Sequence, residues 1–238
     1  MAKSLRIEER RFEFLFGAKC IYKLATEYCG MKNESCEILA IDPARGNTGY
    51  AFRDSDDEIK TGNIVPGTKG FSKVIYVEKK LRKLLEDSFP FVAIEGYAMN
   101  AKWGRELAGE LGGVIRRLLY FKKRPLLVIS PLTIKAWIKA KKKEQIMLEI
   151  LDRYKVKISN SDAADAFVLQ EICHKSILMS SAVVGSGISE PEDIRIFLKN
   201  EDYKLRKGLE NLYRYQENSL FNLISSQGRN IGFFLKNQ

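Results

Sequence analysis

The stretch that most constrains the fold is Ile38-Leu39-Ala40-Ile41-Asp42-Pro43-Ala44-Arg45-Gly46-Asn47-Thr48-Gly49-Tyr50. An apolar run of strand length ends in a carboxylate, Pro-x-x-Gly and Asn-Thr-Gly break the chain, and a second apolar run begins at Tyr50. The pattern predicts two strands joined by a tight loop, with Asp42 where a buried strand surfaces. An isolated Asp in such a place is ordinarily a turn residue hydrogen-bonded to its own backbone. Its meaning depends on whether the chain repeats the design elsewhere.

The acidic turn Asp54-Ser55-Asp56-Asp57 leads into a third strand, about Ile59 to Val65, and the short connections make an antiparallel meander. Val74, Val77, Leu81, Leu84 and Leu85 follow at helical spacing, and Phe89-Pro90 closes that helix. Phe91-Val92-Ala93-Ile94-Glu95 is nearly all apolar, as a strand covered on both faces must be, and it too ends in an acid. A helix is expected from about Lys102 to Phe121. Gly109, Gly112 and Gly113 within it cost ~1 kcal/mol each against alanine, for which close approach of another backbone is the physical reason. Pro125 to Ser130 forms a fifth strand, Pro131 opens a short helix, and a further helix spans about Glu144 to Tyr154. Ser161 is the expected N-cap of a helix whose first turn carries Asp162 and Asp165 on one face.

This succession implies an α/β domain over residues 38–175, a five-stranded mixed sheet flanked by helices. Residues 1–37 read as a helical N-terminal extension, with Leu5, Phe12, Leu15, Phe16, Ile21, Leu24, Ala25 and Tyr28 at near-helical spacing. Residues 176–238 read as a linker through Ser180-Ser181 and Gly185-Ser186-Gly187, followed by a helical accessory region. A chain of 238 residues with 45% hydrophobic content can bury one substantial core. No apolar run approaches the ~20 residues of a membrane helix, and Arg6-Ile7-Glu8-Glu9-Arg10-Arg11 is no signal-peptide start. A soluble, intracellular protein without membrane partners is expected. Cys20, Cys29, Cys36 and Cys173 include no C-x-x-C pair and His174 is the one histidine, which argues against a zinc finger or a disulfide scaffold.

The formal charge is +10, and residues 98–147 hold twelve Lys and Arg against three acids, a net +9. Positive charge focused on one segment attracts a polyanion, which makes nucleic acid the leading partner. If the two acid-ending strands lie side by side, Asp42 and Glu95 emerge together, and the helix at Asp162 adds two more carboxylates. Like charges 4 Å apart repel by about 4 kcal/mol at an effective dielectric near 20, so such a cluster calls for a cation. An all-oxygen donor set suits Mg²⁺ or Mn²⁺. Two such ions would serve in-line phosphodiester displacement.

Ile41-Asp42-Pro43 with Thr48-Gly49-Tyr50, Ile94-Glu95-Gly96-Tyr97, and Asp162-Ala163-Ala164-Asp165-Ala166 together resemble the three acidic motifs of RuvC-type Holliday-junction resolvases. The likeness is to their phage-like relatives in particular, and it covers about residues 38–175. It implies an RNase H-like (retroviral-integrase) fold and a homodimeric junction endonuclease acting on branched DNA. It further implies that Asp42, Glu95, Asp162 and Asp165 bind two Mg²⁺ or Mn²⁺ ions per site. Lys135 and Lys143 stand where the family has basic residues near the scissile phosphate, with Lys142 an alternative to Lys143. Lys102, Arg105, Lys139 and Lys141 join them as candidate DNA contacts. A gapless match puts Ala98 at the family's aromatic wedge, and a one-residue deletion puts Tyr97 there. The glycines around Gly109 fall where family members dimerise.

Two rivals come from other classes. An actin-like or sugar-kinase ATPase also opens with a strand, an Asp and a Gly-rich turn, but its second phosphate loop of D-x-G form has no counterpart in this chain. A branched-DNA-binding module without catalysis would have no use for four carboxylates.

Overall fold

The computed structural model describes residues 37–185 other than 45, 54–57, 69, 87–88, 90, 97–104, 123, 125, 130 and 141. The expected N-terminal extension up to residue 36, the accessory region beyond 185, and Tyr97, Ala98, Lys102 and Lys141 lie outside these residues. Ten elements follow in order: β1 (Ile38–Pro43), β2 (Thr48–Arg53), β3 (Ile59–Ile64), α1 (Phe71–Leu84), β4 (Phe91–Glu95), α2 (Arg105–Phe121), β5 (Leu126–Ile129), α3 (Pro131–Ile138), α4 (Lys143–Tyr154) and α5 (Ser161–Gly185). Among the described residues no helix is long and apolar enough to cross a membrane.

The sheet order is β3-β2-β1-β4-β5. β1, β2 and β3 pair antiparallel, as their short connections require, while β4 and β5 run parallel to β1. This is the expected five-stranded mixed sheet with flanking helices. Alternation along the strands divides the core in two. Leu39, Ile41, Val92, Ile94, Leu126 and Val128 face α1 and α2, whose Val74, Val77, Leu81, Leu111, Ile115 and Leu119 cover them. Ile38, Ala40, Phe91, Ala93, Leu127 and Ile129 face the opposite side, where α3, α4 and α5 lie.

α5 is buried nearly all round from Ala163 to Ile177, as an interior helix must be. It lies on β1, β2 and β3 and also packs against α3 and α4. It extends past residue 175 and through Ser180-Ser181 to Gly185, so those serines belong to the helix and not to a linker. The glycine rationale also changes. A Cβ at Gly109 or Gly113 would find nothing within 4 Å, so no backbone of the described chain approaches either one.

Gly49 is where close approach occurs. A Cβ on it would overlap the Asp162 carbonyl and come within 2.8 Å of Ala163 N. The first turn of α5 therefore rests directly on the β2 backbone. Farther along, Arg53 of β2 forms a buried ion pair with Glu171 of α5. Four residues of strand and nine of helix both span about 13 Å, so the two contacts hold α5 alongside β2 in a single register.

Gly49→Ala should destabilise the fold by about 1–3 kcal/mol or more, because helix and strand backbone must separate. Gly62→Ala should cost less, since its Cβ would meet the Tyr50 ring, which can turn aside. Urea unfolding of both variants measures the difference, and equal losses would deny the tight seat at Gly49.

Candidate active site

One row of residues across the sheet sets the geometry. Asp42 pairs with Gly49, Gly49 pairs with Asn63, and Glu95 is the residue after Ile94, which pairs with Ile41. Asp42 and Glu95 thus end adjacent parallel strands at one level, on the face that α5 covers. Because Gly49 has no side chain, the first turn of α5 occupies that point of the row and brings Asp162 and Asp165 to Asp42 and Glu95.

That turn is capped by Asn160, not Ser161. The Asn160 side-chain oxygen accepts hydrogen bonds from the backbone N–H of Asp162 at 2.8 Å and of Ala163 at 3.4 Å. Ser161 is already helical, and its hydroxyl lies 3.4 Å from both Asp162 Oδ1 and Lys143 Nζ. Asparagine and serine cap helices about equally well, so Asn160-Ser161 left the choice open by one residue.

Electrostatic coupling links all four acids. Asp42 is 4% exposed, and burial, the Glu95 carboxylate and a hydrogen bond to it, then Asp162, push its pKa well above the ordinary range. Burial raises Glu95 as well, against the hydrogen bond from Asp42, which lowers it. Asp165 rises to about 6 through burial and the charges of Asp42 and Asp162, opposed by Lys143 and Lys135. Lys143 Nζ lies 2.8 Å from Asp162 Oδ1 and 3.8 Å from Asp165 Oδ2. Burial alone would lower its pKa, but the bond to Asp162 and the charges of Asp162, Asp165 and Asp42 raise it instead. Lys143 is a firmly protonated counter-ion to the cluster.

Of the two lysines open as equivalents, Lys143 is the one whose ammonium reaches the acids. Lys142 stays exposed ahead of α4, where its N–H donates to the Gln145 side chain at 3.3 Å. Lys135 is exposed on α3, yet its charge is felt by Glu95 and Asp165. Lys139 is exposed in a left-handed conformation (φ 58°) just past α3. Arg105 starts α2, with its side chain outside the described set.

As they stand, no three acids, histidines or cysteines among the described residues enclose a point that would hold a metal ion. The donor chemistry nonetheless fits a divalent cation. The carboxylates are oxygen-only donors, buried at Asp42 and part-buried at the other three, mutually repelling, and two of them are paired with the Lys143 ammonium.

No protein-family model matches the sequence, and no curated protein is significantly similar to it. Two solved structures are similar in shape. RuvC from Thermus thermophilus is 16% identical, with a TM-score of 0.47 over 63% of this chain and 96% of that one. The T. thermophilus RuvC in complex with Holliday junction substrate is 17% identical, with a TM-score of 0.45 over 63% and 97%.

Two expectations follow from the site. Between about pH 4 and 6 the folded chain binds more protons than the unfolded one, because Asp165 titrates near 6 and Asp42 and Glu95 are raised too. Stability contributed by these acids is therefore lost as pH rises through that window. The Tm of Asp165→Asn should gain on wild type from pH 4 to 7 without divalent ions, and added Mg²⁺ should close the gap by stabilising wild type. A pH-independent difference would contradict the coupling. Separately, Asn160→Ala should cost about 1 kcal/mol and Asn160→Asp much less, read by chemical denaturation. Equal losses would remove Asn160 as the cap.

Proposed function

We propose that the chain is a metal-dependent, structure-selective endodeoxyribonuclease that resolves four-way DNA junctions, a RuvC-type resolvase of the phage-like kind. The observation that carries this reading is the convergence of Asp42, Glu95, Asp162 and Asp165 from β1, β4 and α5, with the Lys143 ammonium among them. The likeness of the three acidic motifs to those of the resolvases supports it independently.

In this reading the four carboxylates hold two Mg²⁺ ions, with Mn²⁺ a substitute. Bound there, the ions activate a water and stabilise the leaving oxygen of a phosphodiester. The carboxylates orient what they hold, and their burial keeps bulk water from competing. Lys143 keeps its proton and presents a cation at the rim of the cluster, where a phosphate would arrive. Lys135, Lys139 and Lys142 extend that positive rim. Lys102, Arg105, Lys141 and Tyr97 are assigned to the DNA as well, on their place in the basic segment or beside Glu95. Backbone shape and phosphate contacts would dominate recognition.

A four-way junction is nearly two-fold symmetric, so paired incisions call for two sites related by a two-fold axis, and the protein acts as a homodimer. Among the described residues nothing would meet a Cβ at Gly109 or Gly113, which is compatible with a second helix packing there.

The test is incubation of the full chain with labelled four-way junction, fork and linear duplex in Mg²⁺, mapping each cut. Wild type should incise opposed strands of the junction in preference to duplex. Asp42→Asn should lose at least a hundredfold in rate while still shifting the junction in gels. Undiminished cutting by that variant would remove Asp42 from the site, and junction binding without nicking by wild type would favour a non-catalytic module.

A further inference from the structure

The fold divides the basic segment between two places. Lys135 and Lys143 belong to the acid cluster. The stretch Arg116-Arg117-Leu118-Leu119-Tyr120-Phe121-Lys122-Lys123-Arg124 instead surrounds the C-terminal end of α2 and contains five cations and no acid. Leu126, five residues beyond Phe121, pairs with Val92 near the start of β4, whereas Glu95 pairs with Ile129 at its finish. The cluster therefore lies toward the opposite end of the parallel strands, at least roughly 10 Å from the acids.

Helical spacing turns this stretch inside out. Leu118 and Leu119 are buried in the core, which leaves Arg117, Tyr120 and Phe121 facing water. Tyr120 is 45% exposed and Phe121 66%. Their rings meet edge-on at 5.7 Å, and the Arg117 guanidinium lies 5.3 Å from the Phe121 centroid. The negative end of the α2 dipole favours cations here and accounts for part of the charge. It does not account for two large rings in solvent.

We propose that this end of α2 binds unpaired nucleotides of single-stranded nucleic acid, bases stacking on Phe121 and Tyr120 and phosphates pairing with Arg117, Lys122 and Arg124. Aromatic stacking interleaved with cations is the chemistry of single-strand recognition, whereas a continuous duplex offers no free base face. An acidic protein surface would satisfy the cations and leave the rings without a role. The inference is independent of the acid cluster.

Fluorescence anisotropy with labelled oligothymidylate and a duplex of equal length, using the full chain, tests it. The variant Tyr120→Ala/Phe121→Ala should bind the oligonucleotide about tenfold more weakly or worse, with duplex affinity and far-UV circular dichroism unchanged. Arg117→Ala/Lys122→Ala should weaken both ligands and flatten the dependence of affinity on salt. Phe121→Trp should retain affinity and show added fluorescence quenching on binding. Wild-type oligonucleotide affinity in the double ring variant would overturn the proposal. So would a change of that variant's oligomeric state in sedimentation, which would assign the rings to a second copy of the chain.

Discussion

The seat of α5 on Gly49 governs the rest of the molecule. A helix normally stands off a sheet by the thickness of two layers of side chains. Here the side chain is absent at Gly49, and alanines at 163, 164 and 166 thin the helix side. Asp162 can reach Asp42 only because the backbones touch at this point. The Arg53–Glu171 pair sets the rotation and register of α5 farther along, where neither partner could be left alone without exposing a buried charge to an apolar core. One missing Cβ and one buried ion pair therefore decide whether acids from distant parts of the chain meet.

Gathering them is unfavourable in itself. Burial and mutual repulsion raise Asp42, Glu95 and Asp165, the last to about 6, and Lys143 leans in from α4. The hydrogen bond between Asp42 and Glu95 and the Lys143 ammonium offset the repulsion among the four carboxylates. Lys143 is half-exposed at the rim, which limits what its pair with Asp162 contributes to stability.

Much of this was legible in the sequence because hydrophobic period and chain breaks are local signals. β1 to β5 and the meander followed from apolar runs and connection length, and the acids stood at strand ends where a buried run meets water. What escaped depends on contacts between distant residues. Gly49 looked like a turn glycine, since nothing near it in sequence announces that Asp162 will lie on top of it. Arg53 and Glu171 are 118 residues apart and each looks like an ordinary surface charge. Ser180-Ser181 looked like a linker because serine is common in loops, yet α5 runs through it. The glycines of α2 went the other way: close approach was inferred from cost alone, and among the described residues no atom from outside its own turn comes within 4 Å of a Cβ built at Gly109 or Gly113.

The charge distribution carries the same lesson into function. A net +9 over residues 98–147 reads in sequence as a single basic surface. A right-handed crossover from β4 to β5 must run the length of the sheet and return, so a continuous stretch of sequence visits both ends of it. The lysines after β5 come back to the acid end, while the arginines and rings at the close of α2 are left near the other. On the functional reading proposed above, two positive regions separated by the length of a strand would hold a branched polyanion at two points. On that reading geometry would orient the substrate, because one gripped at one end only could still swing at the acids.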